Sequence, residues 1–229
     1  MSNDTHKLRY LIDGVDIRDA YGVVIEKSSG LLSRAKLKAP VTTSWQDYHG
    51  EIVDLAKPRK EPRIITLKGW MMAENKGDLT TKWNAFMRIF DQAGTRRLTV
   101  DVHPTHPLVY EVYLAEDTDI DKKWRNDTMV GTFTLKLREP EPVKRVISHT
   151  VTDSNTRTLN IQMYTEKAVT ISWGDGMYDT DIRSLVNISH TYPENMVGVG
   201  SKTYIAMIIG VIEDIRDFST TGTVLWNIL

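Results

Sequence analysis

The sequence predicts a mainly β protein of two domains with one helix among its strands. Runs of β-branched and aromatic residues recur through the 229-residue chain and are separated by Gly, Pro and Asp at turn positions. Residues 138–144, Arg-Glu-Pro-Glu-Pro-Val-Lys, predict a stiff, extended connector, because proline lacks an N–H donor and disfavours helix in its predecessor. We therefore predict domains at residues 1–143 and 144–229.

The first domain opens with predicted strand pairs. Residues 8–17 contain an Asp13-Gly14 turn between two apolar alternations, and residues 21–26 continue the same pattern. The other candidate strands share a high content of β-branched or aromatic residues, and they span 63–72, 97–102, 109–114 and 128–137.

One segment follows the helical period and predicts a helix over residues 79–93. Asp78 is the predicted N-cap, and Gly94 stands just beyond the end. The apolar positions of this segment share one face, which we expect to cover the domain's own sheet, and they are Leu79, Trp83, Phe86, Met87 and Phe90.

Residues 28–62 form a connector that is long for a compact domain. Its Lys, Arg and Pro content predicts an extended loop or arm, which Trp45, Tyr48 and Leu55 could anchor. Long loops are often functional, so we expect this segment to contact a neighbouring subunit, with these three residues as candidate interface residues.

The last third of the chain carries the most specific pattern. An alternating run, residues 169–173, enters the turn Gly174-Asp175-Gly176, where glycine tolerates positive φ and Asp can bond the turn backbone. Two further segments follow, Ser-His-Thr-Tyr at 189–192 and an apolar alternation at 202–210. This order predicts paired strands of a β-sandwich, closed by a terminal strand near residues 224–229.

Three aromatic positions in this pattern have expected structural roles. We expect Trp173 to face the core. His190 and Tyr192 are expected at a corner, where their rings cover the end of the sandwich and their polar tips bond backbone groups. No nucleophile is implied by this arrangement.

These residues resemble the signature of the PKD-type immunoglobulin-like repeat. That signature is an aromatic residue with Gly-Asp-Gly, then His-Thr-Tyr, then a strand of the form Tyr-x-Ala. The matching positions are Trp173, Gly174, Asp175, Gly176, His190, Thr191, Tyr192 and residues 204–209. The resemblance implies a PKD-like β-sandwich over residues 144–229, with these positions as structural residues.

The first domain resembles the N-terminal domain of phage distal tail proteins and the related tail-tube fold. The resemblance lies in the order of its elements over about 130 residues: the 12–17 opening, Tyr21-Gly22, Trp45-x-x-Tyr-x-Gly50, the strand at 62–69, one helix, and the closing 133–140. It implies a β-sandwich or split barrel with one packed helix.

The family resemblance also implies a function and partners. Copies of such domains join sheets edge to edge into a ring, usually a hexamer, that adapts the tail tube to the host-recognition apparatus. Other tail proteins are then the implied partners, a host-surface glycan or protein is a possible one, and the virion tail is the implied location. A surface adhesion or glycan-binding module, which the PKD-like part alone favours, is the alternative.

Composition excludes several function classes. The chain has 29 basic and 30 acidic residues and a net charge of −1, so we expect neither nucleic-acid sequence recognition nor binding to anionic membranes. It has no cysteine and no apolar run of about 18 residues, which argues against thiolate chemistry, disulfides and membrane insertion. The Met1–Lys7 start shows no signal-peptide pattern, so we expect synthesis and folding in the bacterial cytoplasm.

Candidate chemical sites are weak. His103 and His106 lack a recognisable third zinc ligand, and the alternating Asp117, Asp119 and Asp121 lack the Gly and Glu of a calcium loop. The default interpretation of these segments is an exposed loop and a polar hairpin connection. No nucleophile elbow, phosphate loop or dinucleotide motif is present, so we expect no enzyme, metal or cofactor, and a hydrolase of unrecognised type is the remaining rival.

Overall fold

The structure is a computed structural model that describes residues 8–125, 128–193 and 200–229. The chain divides into two compact units, Met1–Pro142 and Val143–Leu229. Antiparallel strands dominate both units, which confirms the predicted mainly β class.

The strands and helices of the first unit are β1 (Arg9–Ile12), β2 (Val15–Asp16), α1 (Ile17–Tyr21), β3 (Val23–Ser29), β4 (Thr42–Thr43), β5 (Ile52–Val53), β6 (Arg63–Ala73), α2 (Lys76–Met87), β7 (Arg96–Asp101), β8 (Leu108–Leu114), β9 (Ile120–Arg125) and β10 (Thr128–Glu139). Those of the second unit are β11 (Lys144–Val151), β12 (Thr158–Ser172), β13 (Tyr178–Thr191), β14 (Lys202–Gly210), β15 (Arg216–Thr220) and β16 (Thr223–Trp226), with 3₁₀ turns at Ser154–Thr156 and Ile212–Asp214.

One antiparallel sheet organises the first unit, in the order β2-β1-β7-β8-β10-β6-β3, and β9 also pairs with β10. Strands β6 and β10 pair in continuous register from Arg63 opposite Glu139 to Ala73 opposite Met129. Burial alternates strictly along β6, which directs Ile65 and Leu67 into the core and leaves Ile64 on the outer face. The sequence predicted a strand at residues 63–72 from its β-branched and aromatic content, and β6 occupies that segment.

Helix α2 begins earlier and ends earlier than predicted. Its N-cap is Asn75, whose side chain accepts from the Asp78 N–H at 2.9 Å, and the helix stops at Met87 rather than residue 93. Asp78 lies in the first turn instead, and the Lys82 ammonium and the Glu74 N–H hold its pKa below the usual value. The prediction failed because Gly77 disfavours helix intrinsically, whereas here Asn75 caps the turn that contains it.

Two further elements differ from the prediction. The residues after β2 form helix α1, which Asp16 caps by accepting from the Arg18 N–H at 2.9 Å and which ends at Gly22 with φ 68°. The described residues of the unit therefore form two helices where one was predicted. The acidic connection before residue 125 also contains a strand, β9, that the sequence analysis treated as a polar hairpin connection.

Aromatic side chains hold the helices on the sheet. Trp83 and Phe86 of α2 contact Phe133 of β10 with ring centroids 5.2 and 6.0 Å apart. Tyr21 of α1 contacts Phe86 at 5.7 Å. The apolar face of α2 thus packs on its own sheet.

The second unit is built around the long strand β12, which pairs with β13 along its length, with β15 near its start and with β14 near its end. Strand β11 lies between β14 and β16, so the predicted terminal strand is present as Thr223–Trp226. The fully buried side chains at its centre include Ile147, Leu159, Ile161, Trp173 and Ile208.

Candidate functional site

The segment that follows β3 forms a narrow ribbon, and we call residues 31–62 the arm. Near its base the Lys38 N–H donates to the Arg59 carbonyl and the Glu61 N–H donates to the Lys36 carbonyl, both at 2.8 Å. Further out, β4 pairs with β5, and the Asp54 N–H donates to the Val41 carbonyl at 3.0 Å. The expected extended loop is therefore a two-stranded hairpin.

The apolar side chains of the arm are largely exposed. Trp45, Tyr48 and Leu55, considered as anchors of the arm, are 58%, 62% and 55% exposed, so they do not pin it to its own unit. Three more apolar residues of the same segment, which the sequence pattern did not single out, are exposed, namely Leu32, Val41 and Ile52. The arm therefore presents an apolar surface to solvent.

Charge is segregated along the arm. The outer part, residues 41–55, carries Asp47, Glu51 and Asp54 and neither Lys nor Arg. The inner parts, residues 32–40 and 56–62, carry six basic residues and one acid, and they are Arg34, Lys36, Lys38, Lys57, Arg59, Lys60 and Glu61. The tip of the arm is therefore acidic and aromatic, whereas the part nearest the body is positively charged.

The base of the arm, unlike its tip, is tightly packed. Leu31 is buried, and the preceding Gly30 has φ +89°. A Cβ at Gly30 would lie 2.1 Å from the Ile64 carbonyl oxygen, so the chain crosses β6 where only glycine fits. The arm leaves the body of the unit at a fixed point.

The Gly-Asp-Gly turn of the second unit joins β12 to β13. Gly174 and Gly176 adopt φ +93° and +96°, a region that L side chains avoid. The Asp175 carboxylate accepts from the Met177 N–H at 3.1 Å, and the Trp173 N–H donates to the Met177 carbonyl at 3.0 Å. Both glycines are therefore required by the turn.

The aromatic residues around this turn form a closed stack. Trp173 is 1% exposed, and its indole N–H donates to Asp179 at 3.0 Å. The His190 ring stacks on Trp173 with centroids 4.7 Å apart, and the Tyr192 hydroxyl donates to the Trp173 carbonyl at 2.9 Å. His190 Nε2 lies 2.8 Å from Asp175 Oδ2. The expected backbone partner of His190 is therefore a carboxylate instead, which joins the two halves of the motif.

Two further rings cover Tyr192. Tyr204 stacks on it at 4.1 Å, and His149 lies parallel to it at 5.6 Å. Tyr192 and Tyr204 are buried. These side chains face one another rather than an open cleft, which is the arrangement of a structural corner.

The weak chemical candidates form no site in the described part of the chain. His103 and His106 both contact the Thr105 hydroxyl, at 3.2 and 2.7 Å. Asp119 accepts from its neighbour's N–H at 2.7 Å, and Asp121 pairs with Lys123 at 3.6 Å. Across residues 8–125, 128–193 and 200–229, no three His, Asp or Glu side chains cluster as metal ligands would. None of the helices described there could cross a membrane.

Comparison with solved structures reveals a likeness over most of the chain. The crystal structure of the SPP1 Dit (gp 19.1) protein aligns with a TM-score of 0.52 at 9% identity, over 93% of this chain and 99% of that chain. That protein is described as a paradigm of the hub adsorption apparatus in phages that infect Gram-positive bacteria. The phage p2 baseplate, in its activated conformation with Sr, aligns at 9% identity with a TM-score of 0.39 over 93% of this chain.

The fold is similar to that of SPP1 Dit. Because the alignment takes in 93% of the chain, it extends beyond the first unit into the second. No family model matches the chain, and no curated protein sequence matches it. The likeness to distal tail proteins is thus one of fold, and the PKD-type resemblance of the second unit stays a prediction.

Proposed function

We propose that this protein is a structural component of a phage or prophage tail, a distal tail or baseplate adaptor that assembles as a ring. The observation that carries the proposal is the arm, a hairpin whose apolar side chains are exposed although its base is packed against the body. The fold similarity to SPP1 Dit supports a tail role.

The exposed apolar residues of the arm are costly unless a partner covers them. Fully burying a large apolar side chain contributes about 1.5–3 kcal/mol, so Trp45, Tyr48 and Leu55 together offer a substantial driving force for association. Part of this gain is offset by lost rotational and translational freedom. Aromatic anchors surrounded by polar residues are typical of protein interfaces.

The geometry of an arm is compatible with a closed ring. If the arm of one copy docks on a different surface of the next, each subunit has one donor and one acceptor surface, which is a heterologous contact. Rotational closure then leaves no arm unpaired, and the last contact closes the ring at a high effective concentration. Six copies is the ring size that the distal-tail resemblance implies.

The sheet of the first unit offers surfaces that could accept such a contact. Its order places β2 and β3 at the two ends, and terminal strands are templates for pairing with another chain. Strand β3 leads directly into the arm through Gly30, so the arm and one edge of the sheet lie on consecutive residues. Edge pairing and arm docking could therefore operate in one interface.

Light scattering after size exclusion, across a protein concentration series, tests the proposal. We expect a discrete species whose mass is a small multiple of 26.1 kDa and whose negative-stain images show a ring with a central channel. A monomer at every concentration, or open aggregates of undefined mass, would contradict a self-assembling ring.

A further inference from the structure

A buried ion pair lies where the arm joins the body of the first unit. Arg63 is the first residue of β6 and Glu139 the last of β10, and they face each other across the two strands. They are 7% and 0% exposed, and Arg63 Nε lies 3.3 Å from Glu139 Oε2. The Nε and Oε2 atoms form an ion pair without the alignment of a hydrogen bond. Such a pair is a weak source of stability, because desolvation offsets much of its attraction.

The other nitrogens of the Arg63 guanidinium bond two separate segments. Nη1 donates to the Leu31 carbonyl at 3.4 Å, and Nη2 donates to the Pro142 carbonyl at 3.2 Å. The Tyr110 hydroxyl also donates to the Leu31 carbonyl, at 2.6 Å, and the guanidinium carbon lies 5.4 Å from the Tyr110 ring centroid. Burial raises the pKa of Tyr110, which keeps the phenol neutral and able to donate.

These contacts bring together three positions that lie far apart in the sequence. Leu31 is the first residue of the arm, and Arg63 directly follows its last residue. One side chain therefore closes the base of the 31–62 hairpin. Its third contact, Pro142, is the last residue of the first unit, three residues beyond the end of β10.

We propose that Arg63 is a positioning residue for the arm: its guanidinium fixes the arm base to Glu139 at the end of β10 and to the Pro142 carbonyl. The inference rests on the proposed function, because a fixed angle matters only if the arm docks on a neighbouring copy. The forked guanidinium reaches two carbonyls and one carboxylate at once, which the single ammonium of lysine cannot do. This geometric role explains a buried charge pair where two apolar residues would pack as well.

The test is limited trypsin digestion of the intact protein, with fragments assigned by mass spectrometry. The arm base supplies the reporter sites, namely Arg34, Lys36, Lys38, Arg59 and Lys60, whereas Lys57 precedes Pro58 and is not cleaved by trypsin. In the double variant Arg63→Met with Glu139→Met, the charges are removed together, so we expect the urea midpoint to be nearly unchanged. Cleavage at the reporter sites should rise about tenfold, the factor expected from losing one hydrogen bond to a charged group.

A matched control is available in the same sheet. Arg97 and Glu111 form another largely buried ion pair, with Arg97 Nη2 2.8 Å from Glu111 Oε1. Their double replacement by Met should leave cleavage in the arm at the wild-type rate. Equal acceleration in both double variants would overturn the proposal, since the effect would then be general loosening.

The single variant Arg63→Lys separates geometry from charge. It retains a cation opposite Glu139, yet we expect it to accelerate cleavage of the arm base as well. Wild-type cleavage in Arg63→Lys would overturn the positioning role, and this variant decides the question if the double variant does not fold. Cleavage is compared at a protein concentration where light scattering shows the variants and the wild type in the same assembly state. A wild-type protein that forms no ring would then contradict the proposed function and leave the cleavage result to decide the role of Arg63.

Discussion

The arm and the Gly-Asp-Gly turn contain the same kinds of residue in opposite environments. Trp45 and Tyr48 on the arm are 58% and 62% exposed, whereas Trp173 and Tyr192 at the turn are 1% and 0% exposed. Both segments are hairpin connections that carry Trp, Asp, Tyr, His and Gly. At the turn, each polar tip bonds a neighbour within the unit, and each ring stacks on another.

The difference shows that composition does not distinguish a structural residue from an interface residue. A Trp that buries its ring and bonds its N–H contributes to the stability of its own unit. A Trp that leaves its ring in water contributes little to folding and gains from burial by a partner. The same substitution, made at a residue of the same type in each region, can therefore test whether that region is structural or forms an interface.

The largest contrast is expected between the two tryptophans. Trp173→Ala removes a fully buried ring and leaves Asp179 without its indole partner, so it should lower the free energy of unfolding by about 3–5 kcal/mol. Trp45→Ala should change it by less than about 0.5 kcal/mol. Urea denaturation followed by circular dichroism measures both. Equal losses would mean that the arm is part of a folded core.

The boundary between the packed base and the exposed tip of the arm is tested by two glycines. Gly30→Ala places a Cβ against the Ile64 carbonyl at positive φ and should cost about 2–4 kcal/mol. Gly50 has a similar φ of +86° but nothing within 4 Å of the added atom, so Gly50→Ala should cost about 1 kcal/mol. Thermal unfolding of both variants provides the comparison, and a cost at Gly50 that matches Gly30 would show that the tip is packed too.

The smallest contrast concerns two tyrosine hydroxyls. Tyr192→Phe leaves the buried Trp173 carbonyl without its 2.9 Å donor and should cost about 1–3 kcal/mol. Tyr48→Phe changes an exposed side chain and should be neutral within about 0.5 kcal/mol. Urea midpoints of the two variants decide this. If Tyr192→Phe leaves the urea midpoint unchanged, the hydroxyl does not stabilise the turn.

The strands were predictable where local pattern alone determines them. The β6 and β10 segments are rich in β-branched and aromatic residues, and their predicted limits lie within two residues of the structure. The five-residue helix α1 is too short to show a period, and it depends on the Asp16 cap and the left-handed Gly22. The predicted start of α2 was wrong because the N-cap at Asn75 outweighs the low helix propensity of Gly77.

The long-range contacts of both regions were not predictable. The ribbon of the arm depends on Leu37 opposite Lys60, and the aromatic corner depends on His190 reaching Asp175. Arg63 bonds Pro142, 79 residues away. No local pattern encodes such pairs. The sequence indicated the turn residues and the arm as a segment, whereas the hairpin geometry of the arm and the buried contacts of Arg63 depend on residues far apart in the chain.

The most direct measurement is the solution mass of an arm variant beside its folding stability. In the triple variant Trp45→Ser, Tyr48→Ser and Leu55→Ser, we expect loss of the assembled species by light scattering, with a wild-type urea midpoint. The control replaces three apolar residues of similar exposure on the second unit, Met177, Leu185 and Ile228, by Ser, and it should assemble normally. Assembly that survives in the arm variant, or fails equally in the control, would contradict the claim that the arm carries the interface.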